Sequence, residues 1–187
     1  MYQSLNNTIQ DNEVSNNGYD GIYLAYSSNN IILKNDILNN SGEGIYIYSS
    51  TDNNISANKV VSNNWGIYLL NYSSNNSIVG NIISENKYDG IHLCGSSHNI
   101  ITSNTVNFNG DNGVSLQSVW VPIPIPVSSL KLPSYSINVT PIPSPTPPPN
   151  ATPPPLSPCM YNILTNNTIS GNRGHGIQLQ DLSLIHI

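Results

Sequence analysis

Two columns of polar and aromatic residues recur along the chain at steps of about 23 residues. The first holds Tyr23, Tyr46, Tyr68, His92, Ser115 and Gln178. The second holds Asp20, Glu43, Trp65, Asp89, Asn112 and His175. If equivalent positions stack, the two columns make one face carrying aromatic rings beside carboxyl groups. Such a face suits sugars, which offer C–H surfaces and hydroxyls. The ligand-binding candidates are therefore Tyr23, Tyr46, Trp65, Tyr68, Asp89 and His92. The plain alternative is a tyrosine stack that covers a sheet and does nothing else.

The catalytic candidates are Asp20, Glu43 and Asp89. Glycoside hydrolysis needs two carboxyl groups roughly 5–9.5 Å apart across the scissile bond. Asp20 and Glu43 fall on adjacent repeats, and Asp89 two repeats further on, so such separations are within reach. The cationic partners that clustered carboxylates need are scarce: the chain has a single Arg, Arg173, and Lys34, Lys59 and Lys87 fall elsewhere in the repeat. The reading leans away from an enzyme. His92, Cys94 and His98 lie close in sequence and carry soft metal ligands, but no ligand spacing repeats and no cofactor is expected. Cys94 and Cys159 are the only cysteines. They fall in neighbouring turns of one corner, which predicts a Cys94–Cys159 disulfide and an oxidising compartment.

The elements that must position these residues follow from the period. Asn recurs at 7, 30, 53, 76 and 99, at 12, 35, 58, 81 and 104, and at 17, 40, 63, 86 and 109, and resumes at 162, 167 and 172. Aliphatic columns share the register, as in Ile9, Ile32, Ile55, Ile78, Ile101 and Leu164. A Gly column runs Gly21, Gly44, Gly66, Gly90, Gly113 and Gly176. One unit reads N-x-I-x-x-N-x-I-x-x-N, then G-I-x-L. A leucine-rich repeat would need a consecutive L-x-x-L-x-L frame. Here the apolar patches are short, β-branched and ringed by turn residues, so they read as strands. The expected fold is all-β: a right-handed, single-stranded parallel β-helix of about six coils of 22–24 residues, three short strands per coil. Asn fits turns that need a left-handed backbone, and its amides can form ladders. Gly fits a bend that a side chain would block.

The chain has 187 residues and 14 prolines, all between Pro122 and Pro158. The expected layout is coils one to five over 4–118, a Pro-rich insert of polyproline II or irregular chain over 119–160, and coil six over 161–181. Residues 182–187, L-S-L-I-H-I, read as an adaptor-derived translation rather than native sequence. Net charge is −5 with no basic patch, which argues against nucleic acid. No apolar run is long enough to span a membrane. No signal peptide is visible; the chain reads as a fragment of a longer parent with further coils or domains. Low Lys content suits an extracellular, cell-surface or periplasmic setting.

The N-x-I-x-x-N-x-I-x-x-N…G-I-x-L pattern over 4–118 and 161–181 resembles the β-helix repeat of the NosD-like and carbohydrate-binding/sugar-hydrolase (CASH) group, in its archaeal and bacterial surface-protein form. The resemblance implies a rigid, non-catalytic surface or secreted module that contacts a polysaccharide or surface glycan along the tyrosine face. It leaves two alternatives: a fragment of a polysaccharide-active lyase or hydrolase, and a periplasmic protein linked to copper-enzyme maturation.

Overall fold

The apolar columns fold into three parallel sheets of six strands each. The computed structural model describes residues 1–120, 156–157 and 159–180. The first sheet holds β1 (Thr8–Gln10), β4 (Ile31–Leu33), β7 (Asn54–Ser56), β10 (Ser77–Val79), β13 (Ile100–Thr102) and β18 (Ile163–Thr165). The second holds β2 (Glu13–Ser15), β5 (Asp36–Leu38), β8 (Lys59–Val61), β11 (Ile82–Ser84), β14 (Thr105–Asn107) and β19 (Thr168–Ser170). The third holds β3 (Ile22–Ala25), β6 (Ile45–Tyr48), β9 (Ile67–Leu70), β12 (Ile91–Cys94), β15 (Val114–Gln117) and β20 (Ile177–Gln180). The chain visits the sheets in turn, so each coil contributes one strand to each. Two further strands, β16 (Val119–Trp120) and β17 (Leu156–Ser157), pair antiparallel. The rest of the Pro-rich segment, and 182–187, lie outside the described residues.

Register follows the sequence columns. Ile32 pairs with Ile55, Ile55 with Ile78, and Ile78 with Ile101. All four side chains are fully buried. Period-two alternation within each short strand sends one set of residues into this interior and the other outward. The interior is thus a pile of aliphatic layers, extended at both ends by the partly buried Ile9, Val14, Leu164 and Ile169. Among the described residues no helix is long and apolar enough to cross a membrane.

The Asn columns form three ladders. In each, a ladder Asn donates its backbone N–H and its amide to the Oδ1 of the next coil's Asn. Asn58 does so to Asn81, at 2.9 and 3.0 Å. The same amide also reaches back to a main-chain carbonyl, here Ile32 O at 2.9 Å. Among the described residues no buried side-chain nitrogen or oxygen is left without a partner. The expected left-handed backbone falls one residue earlier than the columns suggested. Ala57, Lys34, Phe108 and Tyr161 carry the positive φ, at 54°, 53°, 57° and 55°. The ladder Asn residues are retained for hydrogen bonding, and their exposed predecessors absorb the turn.

The Gly column answers to close approach. A Cβ at Gly44 would lie 2.3 Å from Val60 Cγ1 and 2.7 Å from Gly66 O. The missing Cβ lets the chain pass this close to the interior just before each strand of the third sheet, which carries the candidate face.

Candidate functional site

The third sheet carries the candidate face on its outer side. Tyr23 pairs with Tyr46, Tyr46 with Tyr68, Tyr68 with His92, His92 with Ser115, and Ser115 with Gln178. The sequence column is therefore a continuous line across six coils. Tyr23 and Tyr46 stack with centroids 5.1 Å apart, and Tyr46 and Tyr68 at 5.3 Å. Stacking covers both faces of Tyr46. A ligand meets ring edges and phenol groups here, not the flat platform expected. Burial pushes the Tyr46 phenol up to about 12, with help from Tyr23 and Glu43. Burial likewise raises Tyr68. Both stay protonated donors at neutral pH.

The pre-glycine column splits into two centres. On the first two coils, Glu43 N donates to Asp20 Oδ1 at 2.9 Å. Burial, and a hydrogen bond with the Asp20 side chain, raise Glu43 to about 7. Two carboxyl groups in direct contact leave no room for a glycosidic bond between them, so this pair lacks the hydrolase spacing. Trp65 then interrupts the column. Its ring packs 5.7 Å from Tyr68 and 4.4 Å from Tyr88, over which Lys87 Nζ lies at 4.9 Å. Asp89 is thus separated from Asp20 and Glu43.

Folded Glu43 holds its proton more tightly than the unfolded chain does. It therefore contributes stability that is complete below pH 4.5 and is lost as pH rises through about 7. Glu43→Gln should flatten that part of the profile in melting experiments from pH 4 to 8. An unchanged slope would show that Glu43 titrates as an ordinary carboxyl group.

Asp89 and His92 form the second centre. Gly90 and the start of β12 place them three residues apart, with His92 Nδ1 2.6 Å from Asp89 Oδ2. The other carboxylate oxygen accepts Asn112 N and Asn112 Nδ2, both at 2.8 Å. Asn112 Nδ2 also donates to Gln178 Oε1 at 3.0 Å. Asp89 is buried. Burial alone would lower His92. The hydrogen bond to Asp89, then contacts with Cys94, overcome it and raise His92 to about 9. Tyr68 sets its ring edge-on to His92 at 5.0 Å and hydrogen-bonds Cys94. The result is a buried carboxylate, an imidazolium, a phenol and a thiol in one contact group. It can hold or pass a proton at the His92 ring. Asn112 and Gln178 were missed as partners of Asp89. Their shared columns placed them on the face, but spacing alone does not show a carboxylate drawing in the next coil's amide.

The metal candidates do not converge. His98 has a φ of 58° and stacks on Tyr161 at 5.0 Å. Among the described residues no group of three or more His, Cys, Asp or Glu is placed to hold an ion.

The expected Cys94–Cys159 disulfide is not formed; both are free, buried thiols. The two sulfurs belong to opposite sides of the wall. Cys94 ends β12 in the outward phase with His92 and Tyr68. Cys159 packs in the core and lies 3.1 Å from Ser96 O. It continues an inward serine column, Ser27, Ser50, Ser73 and Ser96, whose members bond the chain through their hydroxyls and main-chain N–H groups. This fourth column was legible at the same period. Burial raises the Cys159 thiol to about 11, which makes it inert. Ellman titration of the unfolded, unreduced chain should count two free thiols. A count of zero would restore the disulfide.

No curated protein matches the chain. Solved structures do, at the level of fold. The periplasmic alginate epimerase AlgG superposes with a TM-score of 0.64 at 19% identity, over 95% of this chain and 39% of its own. The mannuronan C-5 epimerase AlgE6 A-module of Azotobacter vinelandii gives 0.57 at 20%, over 61% of this chain and 33% of that one. The AlgE4 A-module from the same organism gives 0.52 at 14%, over 97% and 57%. The chain thus spans well under two thirds of each. The family model described as "right handed beta helix region" matches residues 1–119. The coiling is right-handed, as expected for parallel crossovers, and the chain belongs to the right-handed β-helix family.

Proposed function

We propose that this chain is a polysaccharide-binding segment of a β-helix protein, acting as a rigid module whose third sheet holds a glycan along the coil axis. One observation carries the reading. Phenol, imidazole, hydroxyl and amide groups run in register from Tyr23 to Gln178 across six coils. A sugar chain presents hydroxyls at a comparable repeat, and Tyr23, Tyr46, Tyr68, His92 and Gln178 offer donors and acceptors in a preformed row, while the buried Ser115 serves Gln178. The epimerases sharing the fold are named for alginate and mannuronan, one of them as periplasmic. That supports a glycan ligand and a periplasmic or extracellular setting. A NosD-like role in copper-enzyme maturation gains no comparable support from the face.

Affinity electrophoresis through gels containing mannuronan or a neutral 1,4-linked glucan tests the reading. Retardation of the wild type, weakened about ten-fold in Tyr46→Ala or Tyr68→Ala, is the expected result. Unretarded wild type in both gels, or variants that bind as the wild type does, would overturn it.

A second reading has its own observation. The Asp89–His92 contact beside Tyr68 is an arrangement that can move a proton. Under it the chain belongs to a polysaccharide-active enzyme. Incubation with mannuronan should then yield unsaturated or C-5-inverted product, lost in Asp89→Asn. No product from the wild type would sink this reading and leave the binding module.

A further inference from the structure

Beyond the strand face, the turn that follows β3 carries an exposed aromatic residue. Tyr26, Ser49, Asn71 and Gly95 are the first residues after β3, β6, β9 and β12. All four are left-handed, with φ of 51°, 45°, 51° and 60°. The fourth coil meets this demand with Gly and the third with Asn, the residue types that tolerate it. The first coil places Tyr26 there, as other turns place Tyr72, Phe108 and Tyr161 at positive φ; what sets Tyr26 apart is its ring and the rings around it.

Tyr26 is also placed differently from Tyr46. Its neighbours Tyr2 and Tyr48 meet it at interplanar angles of 77° and 81°, each with centroids 5.5 Å away. Neither lies parallel over it, and 49% of the residue remains exposed. Tyr2 is 63% exposed. The phenols are tied together: Tyr26 hydrogen-bonds Tyr48, and Asn71 Nδ2 donates to Tyr48 Oη at 3.1 Å. Tyr48 in turn contacts Tyr46 at 6.3 Å. The patch is therefore continuous with the strand face, and it turns the corner from it.

We infer that Tyr2, Tyr26 and Tyr48 form a second glycan subsite, where a sugar ring packs on the half-exposed Tyr26 ring. This rests on the glycan reading of the strand face and extends it. The strand face supplies hydrogen bonds because its rings are covered. The corner adds apolar ring surface to a strand face on which Tyr46 is covered on both sides. A glycan fits this patch because the rings are neutral, partly wetted and edged by phenols.

Tyr26→Asn is the decisive variant, because it copies the third coil and suits the left-handed backbone. In affinity electrophoresis with mannuronan and a neutral 1,4-linked glucan, it should bind about ten-fold more weakly than wild type. Tyr26→Phe, which keeps the ring, should bind as wild type does. The melting temperature of Tyr26→Asn should not fall, which separates lost contact from lost fold; a fall that accounts for the weakened binding would overturn the assignment. If Tyr26→Asn binds normally while Tyr46→Ala does not, the corner subsite is wrong and the strand face stands. If the wild type binds neither polymer, both readings fall together.

Discussion

Asn58→Leu should destabilise the protein by about 3–5 kcal/mol, measured as a drop in urea-unfolding free energy. Asn58 is fully buried, and its Oδ1 accepts Asn35 N at 2.9 Å and Asn35 Nδ2 at 3.0 Å. Its amide donates to Ile32 O and to Asn81 Oδ1. Leucine fills the space but makes none of these bonds. The Asn35 main-chain N–H is left without its acceptor in a site closed to water. Each such orphan costs about 1–3 kcal/mol, and the loss spreads to the coils on either side. The adjacent residue should behave in the opposite way. Ala57 holds a φ of 54°, which costs an L-residue about 1–2 kcal/mol, so Ala57→Gly should be neutral or stabilising by up to about 1 kcal/mol after the entropy of Gly is counted. If Asn58→Leu unfolds within 1 kcal/mol of wild type, the ladders are not what closes the turns.

The second large effect concerns the Asp89–His92 pair. In Asp89→Asn, His92 should titrate well below about 9. Removing the carboxylate deletes the largest force that raises it and leaves burial, which lowers it, against the smaller Cys94 contacts. Two-dimensional NMR of the His92 ring protons reads this directly. The full rise from 6.5 to about 9 corresponds to about 3 kcal/mol. Its sign follows from the raised value in the folded state. The stabilisation is complete below pH 6.5 and is lost as pH rises through about 9. The wild type should therefore be more stable than Asp89→Asn at pH 6, with the gap closing by pH 10. A wild-type His92 that titrates near 6.5 would show the contact to be open in solution.

These two experiments probe the parts of the molecule that were, respectively, most and least legible in the sequence. The coil architecture was written in identical residues at one period, because stacked positions experience one environment and converge on one residue type. The period alone assigns Ile32, Ile55 and Ile78 to one interior column. The reason for the Asn columns was only half legible. The period marks which residue recurs, but the left-handed φ sits at the variable predecessor, where Lys34, Ala57 and Phe108 share nothing but exposure or tolerance. The candidate face was legible as a line of residues, and the stacking of Tyr23, Tyr46 and Tyr68 follows from strand spacing. What could not be read was side-chain choice. Asp20 and Glu43 turned to each other, while Asp89 turned to His92. The cysteines were misjudged for a related reason. Cys94 and Cys159 are near in the coil, but Cys94 takes the outward phase of β12, while Cys159, outside any strand, continues the inward serine column and packs in the core.

The ladders also cross the long interruption between coils five and six. Asn99 bonds Asn162, Asn104 bonds Asn167 and Asn109 bonds Asn172, across 63 positions rather than 23, with unchanged distances of 2.8 to 3.1 Å. The short antiparallel ribbon of Val119–Trp120 and Leu156–Ser157 brings the strand ends together at the mouth of this detour. The ladder thus sets the pitch of the column by contacts between neighbouring windings alone, and the length of chain that separates two windings does not enter it: 23 and 63 positions give the same spacing.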